Sequence, residues 1–311
     1  MSNNHITIEN NREKIVRFIE EVIVEPKKIM RKWAEITRQT PAFKIGYVGQ
    51  HMASLITGVQ GSASGARGED LVDGTEVKTC NKLDQADKCK DCGARVMRIE
   101  SVCGNCGSDN IERHEDSKWL FSVRNEQELQ EYCDLERLFL LLFDYPGFNN
   151  GNFDDIRISS YEIYPREPQG KVFRQLIANH YKNIYLPKIE AMKKANPMNL
   201  HPFGIQFYKC HPVMTFSCTI KDVDTSPEII IDRYVEPREE RPCPLDMPSH
   251  LLNKNEWAML IENGHIGHYD INHIVPSKLQ VQYPTLPSEW LDDIKLRNIV
   301  SVTQKKQYRR T

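Results

Sequence analysis

The chain lacks any apolar run approaching the roughly 18–20 residues that cross a bilayer; its greasiest stretch, Leu138 to Phe143, is only strand-length. Its first residues, Met1-Ser2-Asn3-Asn4-His5, are polar and lack the apolar stretch of a signal peptide. A soluble protein that stays in the compartment where it is made is expected. Positive charge is not in excess either: 41 Lys and Arg against 43 Asp and Glu leave a net charge of −2. Any affinity for nucleic acid must therefore come from local basic surface. The tail, with Arg297, Lys305, Lys306, Arg309 and Arg310, is one such place; a solvated, frayed terminus is the other reading of it. No internal repeat or low-complexity tract is visible. An even cysteine set is missing too: there are nine, four of them in two Cys-x-x-Cys pairs, which fits reduced thiolates on a metal better than disulfides.

What is present suits one large core or two smaller ones in 311 residues. Ile15, Phe18, Ile19, Val22 and Ile23 have helical spacing, and Pro26 is expected to break or kink the pattern before Ile29, Trp33 and Ile36. A further helix is predicted over Tyr47–Thr57, followed by a Gly/Ser-rich loop from Gly58 to Gly68. Trp119–Val123, Leu138–Asp144 and Ile156–Tyr164 read as strands. Asn125 with Glu128 makes a capping box. A long helix runs from Val172 towards Met192, disturbed at Pro187, and a β-rich stretch is expected from Ile205 to Ile220. This alternation predicts an α/β fold, a mixed sheet flanked by helices. Twelve of the 17 prolines lie from Pro187 onwards, so the C-terminal region should be loop-rich. The expected division is a core over residues 1–220, containing an insertion at 86–110, and a C-terminal elaboration over 221–311 for recognition or dimerisation.

The candidate chemistry lies in Glu69-Asp70-Leu71-Val72-Asp73-Gly74-Thr75-Glu76-Val77-Lys78. Glu76 and Lys78 are two residues apart and share a face on a strand, with Val77 turned into the core. A two-residue turn at Asp73-Gly74 would set Asp70 opposite Val77; a three-residue loop, Val72-Asp73-Gly74, sets it opposite Glu76. Such loops want φ > 0 at their third position, where Gly74 stands. Parity and glycine agree that Asp70, Glu76 and Lys78 can converge, and carboxylates of this kind are ligands for hard Mg²⁺. Glu69 faces the other way in this register, Asp73 reads as turn chemistry, and Cys80 shares the face of Glu76 and Lys78.

Cys89-x-x-Cys92 and Cys103-x-x-Cys106 supply four thiolates for tetrahedral Zn²⁺ on two knuckles, with Gly93, Gly104 and Gly107 giving the turns their freedom. Lys88, Lys90, Arg95 and Arg98 on this ribbon either meet phosphates or decorate a purely structural brace. His265, His268, Asp270 and His273 have metal-like spacing but match no helical zinc-protease or HNH pattern; a polar loop is the preferred reading. Cys133, Cys210, Cys218 and Cys243 have no partner spacing.

The segment Gly65 to Lys78 resembles the active-site hairpin of the PD-(D/E)xK nuclease superfamily. With Asp87-Lys88-Cys89-Lys90-Asp91-Cys92 and Asp116-Ser117-Lys118-Trp119-Leu120-Phe121, the chain is similar to the MamI-like type II restriction endonucleases. The resemblance implies a restriction-endonuclease-like core with an inserted zinc ribbon. It implies Asp70 and Glu76 as Mg²⁺ ligands and Lys78 as the residue that positions or activates water. It further implies double-stranded DNA as substrate, 5′-phosphate and 3′-hydroxyl ends, a homodimer, a cognate methyltransferase in the same genome, no membrane and a prokaryotic cytoplasm. Glu69 stands where the motif's Pro would be, and the preceding helix offers Gln50 where some relatives carry an acid. Alternatives are a repair or junction nuclease of the same superfamily and a non-catalytic zinc-ribbon DNA-binding protein.

Overall fold

The structure, a computed structural model, describes residues 5–37, 39, 45–63, 69–83, 86–98, 100–113, 115–267 and 269–297. Residues 64–68 of the glycine-rich loop, His268 and the tail cations Lys305, Lys306, Arg309 and Arg310 lie outside them. The N-terminal periodicity forms α1 (Asn11–Phe18), a π-helical segment (Ile19–Val24) and α2 (Glu25–Thr37) in one continuous run. The next elements are α3 (Gly46–Thr57), β1 (Thr75–Asn81), β2 (Asp87–Cys89), β3 (Arg95–Val96), β4 (Ile111–Glu112), β5 (Trp119–Phe121), α4 (Glu126–Asp134), β6 (Arg137–Asp144) and β7 (Ile156–Ile163). After them come α5 (Lys171–His180), a second π-helical segment (Tyr181–Tyr185), α6 (Leu186–Glu190), β8 (Met198–Leu200), α7 (Ile205–Tyr208), β9 (Val213–Lys221) and β10 (Glu228–Tyr234). No helix among the described residues is long and apolar enough to cross a membrane.

Pro26 and Pro187 do not break their helices. Each stands two residues past the end of a π-helical segment. A proline offers no N–H and its ring collides with the carbonyl four residues back; a widened turn upstream relieves both problems. Asn125 caps α4 by accepting the Glu128 N–H at 2.8 Å, while the Glu128 carboxylate takes the Arg124 N–H at 2.7 Å, one residue short of a reciprocal box. The stretch from Ile205 to Ile220, expected to be β-rich, begins as the helical turn α7. Left-handed residues at Phe203 (φ 57°) and His211 (φ 51°) flank it and delay the strand to Val213.

The chain divides into two compact units. The first draws its described residues from Met1–Trp119, Leu138–Glu162 and Met214–Pro242. Its centre is a five-stranded sheet of order β1-β6-β7-β9-β10. The Lys82 N–H, just past β1, donates to Phe143 O near the end of β6 at 3.1 Å, so these two strands run parallel. β9 and β10 are antiparallel, with an irregularity between Ile231 and Arg233. The sheet is therefore mixed, as expected. Phe139, Leu141 and Phe143 on β6 pack into a core with Ile15, Ile19, Met52 and Ile56 of the N-terminal helices. Leu138, Leu140 and Leu142 on the opposite face are buried as well, which is why β6 reads as an unbroken apolar run.

The second unit takes its described residues from Leu120–Arg137, Ile163–Val213 and Cys243–Thr311. It holds α4, the α5–α6 helical run and a series of short C-terminal elements, of which the helix Lys254–Glu262 has nine residues.

Candidate active site and cysteine cluster

The chain turns back on itself through the antiparallel bridge Leu71↔Thr75, leaving Val72-Asp73-Gly74 as the loop and Gly74 at φ 83°. The Leu71 and Asp70 N–H groups both donate to Thr75 O, at 3.1 and 3.0 Å. Asp70 is therefore opposite Glu76. Along β1, Thr75 and Val77 are buried while Glu76 and Lys78 are half-buried. Lys78 Nζ lies 2.5 Å from Glu76 Oε1. Asp70 Oδ2 accepts the Val77 N–H at 2.8 Å, and its Oδ1 accepts from Gln50 Nε2 at 2.5 Å. Burial pushes the Asp70 carboxyl above its ordinary value, against the Val77 N–H, the Lys78 charge and the Gln50 amide. The two acids and the amine thus share one neighbourhood. Cys80, two residues past Lys78 on the same strand, is buried, and it lies outside the core cluster that takes Val77.

Helix α3 delivers Gln50 because Gly49 lets it approach β1. A Cβ at Gly49 would stand 1.8 Å from Thr79 Oγ1. Sequence reasoning noted Gln50 only for not being an acid. The available signal was Gly49 itself, since a mid-helix glycine costs about 1 kcal/mol relative to alanine and invites a packing reason.

The cysteine segment forms a three-stranded sheet of order β3-β2-β4. Its two knuckles are copies of one design: Gly93 N–H donates to Cys89 O at 2.9 Å and Gly107 N–H to Cys103 O at 2.7 Å, with φ 74° and 73°. Gly104 takes no left-handed conformation. The four Sγ atoms lie within 4.8 Å of one another, and the pairs Cys89–Cys106 and Cys92–Cys103 are each 3.6 Å apart. Zinc–sulfur bonds of about 2.3 Å require a tetrahedral edge of about 3.8 Å. The donor set fits Zn²⁺. The Ala94 N–H and neighbouring groups hold the Cys92 thiol down at about 6. Cys106 is pushed up to about 12: the Ser108 N–H lowers it, but Cys92, burial and the other thiols outweigh that. Four adjacent thiolates need a cation to coexist.

Beneath the knuckles, Asp87 on β2 accepts from Arg98 Nη1 at 3.0 Å and Arg113 Nη1 at 2.6 Å, with its side chain fully buried. The Arg98 guanidinium sits 4.7 Å over the Phe148 ring and that of Arg113 sits 5.4 Å over Phe153. Both rings belong to the sheet's core cluster. Arg98 is only 2% exposed, so it cannot meet a phosphate; it fastens the ribbon to the core. Lys88, Lys90 and Arg95 are exposed. Sequence spacing gave no warning of this clamp, whose members are brought together by strand pairing.

The described members of the histidine loop take separate partners. His265 pairs with Asp293 at 2.6 Å and stacks on Trp290 with centroids 5.0 Å apart, while His273 pairs with Asp270 at 2.6 Å. Among the described residues, the ligand cluster of three or more His, Cys, Asp or Glu side chains is that of Cys89, Cys92, Cys103 and Cys106. Arg297, counted with the basic tail, is instead bound to Glu256, Nε to Oε1 at 2.5 Å. Cys210 and Cys218 are buried, and burial pushes both thiols up to about 12; Cys133 is half-buried and Cys243 exposed.

The sequence matches the family described as MamI restriction endonuclease over residues 32–252. It is similar to the type II restriction enzyme MamI of Microbacterium ammoniaphilum, 28% identical over 118 residues, a stretch that covers 38% of this chain and 33% of that protein. No solved structure matches.

Proposed function

Because the chain belongs to the MamI restriction endonuclease family, we propose that it is a type II restriction enzyme that hydrolyses double-stranded DNA at a Mg²⁺ site on Asp70, Glu76 and Lys78. The observation that carries this reading is the pairing of Asp70 with Glu76 across a three-residue loop, with Lys78 bound to Glu76 at 2.5 Å. Asp70 and Glu76 offer the hard oxygen donors that Mg²⁺ takes. The bound ion would supply Lewis acidity and a water of lowered pKa. Asp70 is pre-oriented: its two oxygens each accept one protein hydrogen bond, from Gln50 and from the Val77 N–H. The Lys78 ammonium, half-buried, orients the attacking water and places positive charge where the phosphate oxygens gain negative charge. Glu76 holds Lys78 on this face. The products carry 5′-phosphate and 3′-hydroxyl ends.

On this reading Zn²⁺ at the four cysteines is structural, and a symmetric DNA site is served by a two-fold pair of chains. The host, a prokaryote with the enzyme in its cytoplasm, carries a cognate methyltransferase. The test is digestion of phage or plasmid DNA with Mg²⁺, wild type beside Lys78→Ala, followed by sequencing of the fragment ends. Discrete fragments from the wild type, and cleavage lower by orders of magnitude in the variant with DNA binding retained, are expected. Nicking alone would favour a repair nuclease, and a fully active variant would refute the assignment.

A further inference from the structure

The second unit concentrates positive charge. Residues 171–196 contain six Lys or Arg (Lys171, Arg174, Lys182, Lys188, Lys193, Lys194) against one acid, Glu190, in a chain whose net charge is −2. These residues span α5, the π-helical segment and α6, together with the loop leading to β8. Two adjoining clefts, of about 260 and 250 Å³, share His180, Asn196 and Pro197 and take one wall from this helical run. Lys188 lines the first cleft; Arg124, Tyr185 and Lys194 line the second.

Solvated lysines on a helix are ordinary, and charge alone would prove little. Two further features distinguish these. First, the cations of the first unit's core are committed: Arg98 and Arg113 to Asp87, Lys82 to Asp144 at 2.8 Å. Neither Lys188 nor Lys194 has an ion-pair partner among the described residues. Second, the first cleft is lined by four amides, Asn179, Asn196, Asn199 and Gln206, a donor–acceptor set suited to base edges. His180, 8% exposed, closes the shared floor with its Nε2 3.1 Å from Asn196 O. Asn179 Oδ1 accepts from Asn183 Nδ2 at 2.7 Å, and the side-chain amides of Asn196, Asn199 and Gln206 line the cleft beside it.

We infer that this double cleft is a DNA-contact surface, with Lys188 and Lys194 taking backbone phosphates and the Asn199 and Gln206 amides meeting base edges. The inference rests on the nuclease reading for its ligand, and it assigns recognition to residues 122–124 and 176–206, segments given no such role by the sequence. Phosphate contacts of this kind carry salt-dependent affinity, while amide contacts carry sequence preference.

The test measures binding of the full chain to duplex DNA with Ca²⁺ replacing Mg²⁺, across a salt series. Lys188→Glu/Lys194→Glu should weaken binding about tenfold or more and lower the slope of log K against log salt by about two. Asn199→Ala/Gln206→Ala should keep binding to random duplex while losing about tenfold of the preference for the cut site. Lys32→Glu, an exposed lysine of α2 that lines neither cleft, serves as the control and should bind as wild type. If charge reversal unfolds the protein, Lys188→Ala/Lys194→Ala should still lower the salt slope. Wild-type affinity and slope in folded variants would overturn the proposal, as would a stronger response of RNA or protein binding than of DNA binding. Parallel digestion with Mg²⁺ separates the two readings. A wild type that cuts, beside variants that bind normally, sinks the surface alone. A wild type that never cuts, yet loses DNA on charge reversal, sinks the catalytic hairpin and supports the surface.

Discussion

The hairpin at residues 70–78 and the cysteine ribbon at residues 87–113 are near neighbours in sequence, and both turn on a left-handed glycine. They differ in how much chemistry their geometry specifies. The ribbon presents four like ligands with contacts of 3.6 Å in two pairs, an arrangement that fits a thiophilic metal ion. The hairpin gathers unlike groups that already satisfy one another: Lys78 neutralises Glu76, and Asp70 is held by an amide and a backbone N–H. A closed set of identical donors announces its function. A mixed set needs family context to be read.

If the hairpin is catalytic and the ribbon structural, substitutions should separate activity from stability in opposite ways. The largest effect is expected for Asp70→Asn: cleavage lower by about a thousandfold or more, with no loss of stability at neutral pH. The sign follows from linkage. Burial raises the folded-state pKa of Asp70, so the folded state holds its proton more tightly than the unfolded state. Stability falls as pH rises through that interval, and the ionised group is a cost above it. The amide removes the cost. Mg²⁺ bound at Asp70 would oppose this shift, so the melts are read without metal, and the acid limb of cleavage should move down as Mg²⁺ is raised. Thermal melts and a pH–rate profile check both; a strongly destabilised Asp70→Asn would make the hairpin structural.

The converse holds for Cys103→Ser. The ribbon's own apolar cluster consists of Cys89, Val96 and Cys103 with Ala94 and Ile111 against it, too little to fold unaided. Structural zinc contributes about 10–16 kcal/mol in comparable small peptides. Loss of one ligand should therefore release the ribbon's amides to fast hydrogen exchange, with a stoichiometric loss of bound zinc. Slow exchange in the zinc-free variant would show that the clamp beneath suffices. Asp87→Ala tests that clamp and should cost about 3–5 kcal/mol in urea unfolding, because it strands the Arg98 guanidinium in the interior.

What the sequence disclosed follows the same division. The three-residue loop was legible because strand parity has period two and Gly74 stands where φ must be positive. The knuckles were legible because Cys-x-x-Cys spacing is local. The Asp87–Arg98–Arg113 clamp was not, since its partners lie 11 and 26 positions apart and only strand pairing joins them. Nor were the π-helical segments before Pro26 and Pro187: proline's cost is written in the sequence, but whether the chain breaks or widens depends on the tertiary contacts of the helix. The β-rich stretch expected over Ile205–Ile220 is strand from Val213, and left-handed Phe203 and His211 flank a helical turn at its start.

The smallest expected effect sharpens the comparison at the role of a neutral residue beside two acids. Gln50 donates to Asp70 Oδ1 from a helix whose approach requires Gly49. If Gln50 only fills space, Gln50→Ala should leave Ca²⁺ binding unchanged in calorimetry. If it orients Asp70, that variant should bind Ca²⁺ about tenfold more weakly, the loss of one charge-assisted hydrogen bond of about 1.5 kcal/mol, at an unchanged melting temperature. Gln50→Glu divides the outcomes further. A second carboxylate there removes the donor and repels Asp70, raising its pKa again, yet adds an oxygen ligand. Tighter Ca²⁺ binding with a second equivalent bound would mean that the amide limits how many ions this hairpin accepts. Weaker binding of a single ion would mean that orientation of Asp70 outweighs an added charge.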